Sequence, residues 1–175
     1  LVFDGFADWG SALALSELRR RGDVAVVSVG FDDWPVTSDA GLRVLPDREL
    51  WDVEPDAVRL LLLPGGAAWE EERYPRAELD ALLARLADDG VPIAAIGEAT
   101  LALARAGLLA ERAHTSEVRE FLPWHEPAYR GVGRWVDAPV VHDAGVITAP
   151  ASAQGAFARA VVEAVVGEGR AVRTA

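Results

Sequence analysis

Val91-Pro92-Ile93-Ala94-Ala95-Ile96-Gly97-Glu98-Ala99-Thr100-Leu101-Ala102-Leu103-Ala104-Arg105-Ala106-Gly107 is the stretch on which the fold turns. Its first part, Val91 to Ile96, is a short, almost uninterrupted apolar run, the signature of a strand buried on both faces of a sheet. Glu98 to Ala106 has helical spacing and is closed by Gly107, a residue suited to a helix C-terminus. Gly97 alone separates the two. Strand, sharp turn and helix in succession form the elbow that presents a reactive group in α/β hydrolytic folds.

Working outward, the same alternation continues on both sides. Upstream, Leu60 to Leu63 is the cleanest buried strand and runs into Pro64-Gly65-Gly66, and Ala77 to Leu86 has helical spacing that ends near Gly90. Further back, Leu1 to Phe3 reads as the end of a first strand. A helix from about Asp8 to Arg21 follows, with Trp9, Leu13, Leu15 and Leu18 on one stripe, and then a second strand, Val24 to Val29. Val36 to Leu45 holds the turn signal Asp39-Ala40-Gly41 and reads as a small hairpin. Downstream, Ser116 to Leu122 predicts a short helix. Trp135 to Val141 and Val146 to Ala149 predict a pair of strands about Asp143-Ala144-Gly145, and Ala156 to Val166 a closing helix, with fraying from Gly167 onward. No internal repeat or linker interrupts the pattern. The expectation is one domain over 1–175: an α/β sandwich with a mostly parallel sheet and helices on both faces.

Composition narrows the function classes. With 175 residues and 51% hydrophobic composition, the chain can bury one sizeable core. Twenty-eight acidic against 17 basic side chains give a formal charge of −11, which repels nucleic-acid phosphates and anionic membranes. Neither a membrane span nor an export signal is visible, so a soluble cytoplasmic protein is expected. Zero cysteines exclude disulfides, thiolate metal sites and thiol nucleophiles.

Several segments, in order, resemble the ThiJ/PfpI family, which is type 1 glutamine amidotransferase-like. They are Asp4-Gly5-Phe6-Ala7-Asp8-Trp9, Val36-Thr37-Ser38 with Gly41-Leu42-Arg43-Val44, and Leu63-Pro64-Gly65-Gly66. Ala94-Ala95-Ile96, Ala106-Gly107-Leu108-Leu109, His114-Thr115-Ser116 and Ile147-Thr148-Ala149 continue the match. The resemblance implies a flavodoxin-like sandwich and a homodimer. It also implies a nucleophilic cysteine where this chain has Gly97, a partner carboxylate where it has Gly10, and an Asn or His where it has Glu117. The reacting side chains are absent while the scaffold motifs persist, so no cysteine-dependent amidase, protease, deglycase or hydratase activity is expected. Glycine also suits the elbow itself, since it reaches strained turn angles without steric cost.

What remains is a set of backbone donors and a few polar groups. Gly65, Gly66 and the amide of Glu98 can present N–H groups to an anion or oxyanion at a helix N-terminus. Loss of two side chains is expected to enlarge the pocket there. Glu98, His114 and Glu117 are the candidate catalytic or wall groups, with Ser116, Gly10 and Gly97 completing the site. Each also has a structural reading: a carboxylate in a first helical turn is stabilised by the helix dipole, Ser116 can cap a short helix, and a lone histidine is most often structural. His125 and His142 share no ligand spacing with His114, so neither metal nor cofactor is expected. Trp9 and Trp135 read as core residues, whereas Trp34, Trp69 and Trp124 fall in loops and could rim the pocket or an interface. Glu70-Glu71-Glu72 reads as a solvated acidic face. Three functional readings stay open: binding of a small polar or anionic metabolite at the vacated elbow, a lyase, isomerase or hydratase step using Glu98 or Glu117, and a structural or protein-interaction module.

Overall fold

The computed structural model of the chain describes residues 1–21 and 24–171. Its sheet centres on three parallel strands, β5 (Leu61–Leu63), β6 (Ile93–Ile96) and β8 (Val146–Ala149), in the order β5-β6-β8. The edge strand β7 (Val141–Asp143) runs antiparallel to β8. Ala144 and Gly145 join them with φ of 45° and 78°, the doubly left-handed pair that a two-residue hairpin of matching twist requires. Beyond β5 lies the Leu1–Phe3 segment, where the Leu1 nitrogen donates to Leu62 O at 2.7 Å and Val2 bridges Gly30 in parallel. β1 (Val29–Gly30) then pairs in parallel with β4 (Arg48–Glu49), while β2 (Val36–Thr37) and β3 (Arg43–Val44) form a separate antiparallel hairpin. The chain is thus an α/β sandwich with a mostly parallel sheet, as its alternation of strands and helices implies.

Side-chain alternation along β6 builds the two layers of core. Ile93 and Ala95 face a cluster holding Leu79, Leu83 and Leu86 of α2 (Arg76–Asp88), Leu101 and Leu103 of α3 (Thr100–Arg105), and Phe121 and Leu122 of α4 (Phe121–His125). Ala94 and Ile96 face the other side, with Ala14 and Leu18 of α1 (Asp8–Arg21) and Phe157, Val161 and Val165 of α5 (Gln154–Ala171). β6 and β8 are buried at every position, which is why their sequences read as continuous, largely apolar runs.

Some local expectations shift. The buried face of α1 is Gly10, Ser11, Ala14 and Leu18, and its small residues let the helix lie close to the sheet. Trp9 and Leu13 consequently turn outward, at 46% and 44% exposure, so Trp9 is no core residue and its indole instead donates to Asp39 Oδ2 at 3.3 Å. Trp69, placed in a loop by sequence, is fully buried against Phe3, Phe31 and Tyr74, its Nε1 donating to Pro64 O at 2.7 Å. Only Val29 of the Val24–Val29 run pairs as strand, and of Trp135–Val141 only a bridge at Trp135 and the start of β7 do so. The helix expected at Ser116–Leu122 begins at Phe121, because Ser116 bonds Val118 O at 3.0 Å and holds its own segment in a turn. Glu72 ties the acidic run to Arg105, which is buried and also donates to Trp69 O. The closing helix α5 continues through Gly167 to Ala171, and the remainder of the expected frayed end, 172–175, lies outside the described residues.

Candidate functional site

The elbow forms where β6 ends. Ile96 is extended, Gly97 takes φ of 66°, and a single 3-10 turn over Gly97–Ala99 leads into α3, with Thr100 Oγ1 donating back to Gly97 O at 2.9 Å. Register places the flanking loops beside it. Leu63 of β5 pairs with Ala95 and Ala149 of β8 with Ile96, so Pro64–Gly66 and Pro150–Ala151 leave their strands on either side of Gly97.

Glu98 is half-buried and reaches across to the first of these loops, where its Oε2 accepts the Gly66 amide at 3.1 Å. Both glycines are needed for that approach. A Cβ on Gly65 would stand 2.5 Å from Glu98 Oε2, and one on Gly66, at φ of 144°, would stand 2.8 Å from Gly5 O and 2.9 Å from Phe3 Cε2. The Gly66 donor, expected to be open to an external anion, is therefore held by the chain's own carboxylate. Glu117 approaches from the opposite side and accepts the Ala151 amide through Oε1 at 2.5 Å. Burial pushes its carboxyl above the usual range, the Ala151 hydrogen bond opposes this, and the Glu98 charge adds a smaller upward push. At the elbow, a Cβ on Gly97 would lie 3.4 Å from Ala151 Cβ and 3.6 Å from Glu117 Oε1, ordinary contacts that leave room for a methyl group.

The DJ-1/PfpI family pattern matches residues 1–164. A Bacillus subtilis (strain 168) protein named uncharacterized protease YoaZ is 32% identical over 172 residues, covering 93% of this chain and 80% of its own. The deglycase TK1284 of Thermococcus kodakarensis is 31% identical over 143 residues, 82% of each chain. Among solved structures, the DJ-1 superfamily protein Atu0886 of Agrobacterium tumefaciens superposes with a TM-score of 0.87 at 35% identity, over 95% of this chain and 87% of that one. The chain belongs to the DJ-1/PfpI family.

Within this DJ-1/PfpI domain, the position of the expected nucleophile is Gly97, and the chain holds no cysteine to replace it. The other candidates occupy different surroundings. Gly10 is buried in α1, and a Cβ there would meet Ile96 Cγ2 at 3.6 Å, beneath the elbow. His114 is fully buried: Nδ1 contacts Arg112 O at 2.7 Å, Nε2 meets the Tyr129 hydroxyl, and burial lowers its pKa. It also bridges Trp135, so its role in the DJ-1/PfpI scaffold is to tie the loop after α3 to the strand-like segment at Trp135. Ser116 is equally committed, donating to Val118 O and accepting Trp135 Nε1 at 3.0 Å. Gly65, Gly66, Gly97, Glu98 and Glu117 converge; His114 and Ser116 support the loop that carries Glu117.

Ala151 is the site residue that sequence reasoning missed. Its methyl faces Gly97 and its amide holds Glu117, and the signal was present in the Val146–Ala149 run, which ends two residues earlier at the carboxyl edge of the sheet. Among the described residues, no group of three or more His, Asp or Glu side chains is arranged to hold a metal, and no helix is long and apolar enough to cross a membrane.

Proposed function

We propose that this DJ-1/PfpI protein binds a small polar metabolite at the Gly97 elbow without covalent attack on it. The observation that carries this reading is a left-handed elbow bare of any side chain and walled by two carboxylates. Glu98 and Glu117 repel one another enough for the charge of one to raise the pKa of the other, so an anion is the poorer fit of the two ligand classes admitted by sequence. A ligand offering N–H or O–H donors satisfies both, whereas an anionic ligand must first displace Glu98 from the Gly66 amide. A thermal-shift screen of neutral polar, cationic and anionic metabolites tests this, since a ligand that binds only the native state raises Tm by mass action. Stabilisation by donor-bearing compounds, recovered intact by mass spectrometry, is expected; stabilisation by anions alone defeats the reading.

A second reading has one observation in its favour. Glu117, its carboxyl raised by burial, is placed for proton transfer in a lyase, isomerase or hydratase step. Conversion of the bound compound, abolished by Glu117→Gln with affinity retained, would establish it. The names protease and deglycase carried by relatives describe those proteins, and the missing thiol argues against transferring a cysteine-dependent activity to this one. For assembly we propose a homodimer, supported by Trp34 and Trp124, each 72% exposed. Sedimentation giving a monomer at high micromolar concentration overturns it.

A further inference from the structure

The run from Glu98 to Arg105, which is the end of the elbow turn and then α3, is fastened at both ends to one loop. At the elbow end, Glu98 Oε2 accepts the Gly66 amide at 3.1 Å. At the far end, Arg105 turns a buried guanidinium toward the stretch that continues from Gly66, residues 66–74. Its Nη1 donates to Trp69 O and, at 3.3 Å, to the Tyr74 hydroxyl, and its Nη2 donates to Glu72 Oε1 at 3.3 Å. Toward α4 the same side chain does less. Its Nε lies 3.5 Å from Glu126 Oε2 without a hydrogen bond, and has no other partner among the described residues. A buried donor is left unmet while the 66–74 loop takes the guanidinium's hydrogen bonds, so the loop is what Arg105 is oriented to hold.

The loop passes that hold on to Gly66. Trp69 N donates to Gly66 O at 3.2 Å, Glu71 N to Ala67 O at 3.0 Å and Arg73 N to Ala68 O at 3.0 Å, so overlapping turns run without a break from Gly66 to Arg73. The Trp69 indole is secured separately, through Nε1 to Pro64 O at 2.7 Å, which leaves the direction of the Trp69 carbonyl to Arg105. Glu72 takes φ of 52°, a left-handed conformation that costs a residue with a side chain, and its carboxylate is held there by Arg105 and, at 3.8 Å, by Arg76. We infer that Arg105 is a positioning residue for the elbow: by gripping the loop at Trp69, Glu72 and Tyr74, it keeps Gly66 where its amide meets Glu98. When the grip is lost, Gly66 withdraws and Glu98 changes from an oriented acceptor into a free carboxylate. The inference rests on the proposed binding site only in that Glu98 is one of its walls. It is tested on ligand-free protein, so either can fail without the other.

The Gly66 amide is the reporter, read by its NMR resonance and its hydrogen exchange, and Glu98→Ala gives the resonance of the unbonded amide. Arg105→Lys keeps the charge but replaces a planar fork by a single point donor, which cannot serve Trp69 O, Tyr74 and Glu72 together. Glu72→Gly removes one of the loop's holds on Arg105, and glycine accepts φ of 52° without strain. In both variants the Gly66 resonance is expected to move toward its position in Glu98→Ala. Its exchange should speed up by about tenfold or more, with the β6 and β8 amides at native rates. An unchanged Gly66 amide in either folded variant overturns the inference, and so does an equal acceleration across β6 and β8, the mark of general loosening. If Arg105→Lys fails to fold, Glu72→Gly decides alone.

Discussion

Replacing Gly97 by alanine isolates the backbone cost of the elbow from any steric cost. Gly97 sits at φ of 66°, where a residue with a Cβ costs roughly 1–2 kcal/mol. Restricting the unfolded chain returns about 0.4–1 kcal/mol of that. Sterics add little, because the new methyl would meet Ala151 Cβ at 3.4 Å, Glu117 Oε1 at 3.6 Å and Ala151 Cα at 3.8 Å, all ordinary contacts. The net expectation is a loss of about 1 kcal/mol, or about 2–4 °C in Tm for a chain of this size. Gly66→Ala is the matched comparison: its Cβ would stand 2.8 Å from Gly5 O and 2.9 Å from Phe3 Cε2, so overpacking joins backbone strain and the loss should reach about 3 kcal/mol or more. Urea unfolding followed by tryptophan fluorescence, for which fully buried Trp69 is a natural reporter, measures both. Equal losses for the two variants, or a gain of stability in Gly97→Ala, would refute the reasoning.

Glu117→Gln should flatten the acid side of the stability profile. A carboxyl raised in the folded state binds more protons there than unfolded, so stability falls as pH rises from the unfolded value of 4.5 through the folded pKa, and the variant lacks that fall in a Tm-against-pH series. His114 has the opposite sign: its lowered pKa gives stability that is full above 6.5 and is lost as pH falls through the folded value, and His114→Gln should remove that slope. Arg105→Met should cost about 2–3 kcal/mol, measured by urea unfolding, because it leaves the buried Trp69 carbonyl without its donor and Glu126 with Arg76 as its one remaining arginine partner among the described residues. In Gly97→Cys the new thiol sits beside Glu117, so its alkylation should follow a pKa above about 8.5, and adding Glu117→Gln should lower it; a midpoint below that value counts against the carboxylate wall.

The parts of the fold legible in sequence were those written in continuous apolar runs. Ile93–Ile96 and Val146–Ala149 are buried on both faces and both read as strands, although the place of Val146–Ala149 between β6 and β7 came only with the structure, and the Gly97 turn followed from the abrupt change of period between Ile96 and Glu98. Helix faces were less legible where close packing selected small residues. Gly10, Ser11 and Ala14 carry the buried side of α1, and a reading based on large side chains turned the helix so that Trp9 faced inward. Val24–Val29 has the composition of a strand without a paired neighbour over most of its length, because pairing depends on backbone elsewhere in the chain, about which local composition is silent.

At the site, sequence spacing located the elbow but not the reach of its side chains. The separation of Glu98 from Gly66 by 32 positions carries no local signal, yet their hydrogen bond changes the chemistry most. An open amide nest attracts anions; one occupied by an internal carboxylate presents negative charge in its place. With Glu117 on the other side, Gly97 lies between two acids, one of them with its pKa raised by burial. The missing thiol and the occupied amide point the same way: a tetrahedral oxyanion has neither a nucleophile to form it nor a free Gly66 donor to receive it. A donor-bearing ligand needs neither, since both carboxylates are already oriented by backbone amides and can accept its protons without rearrangement.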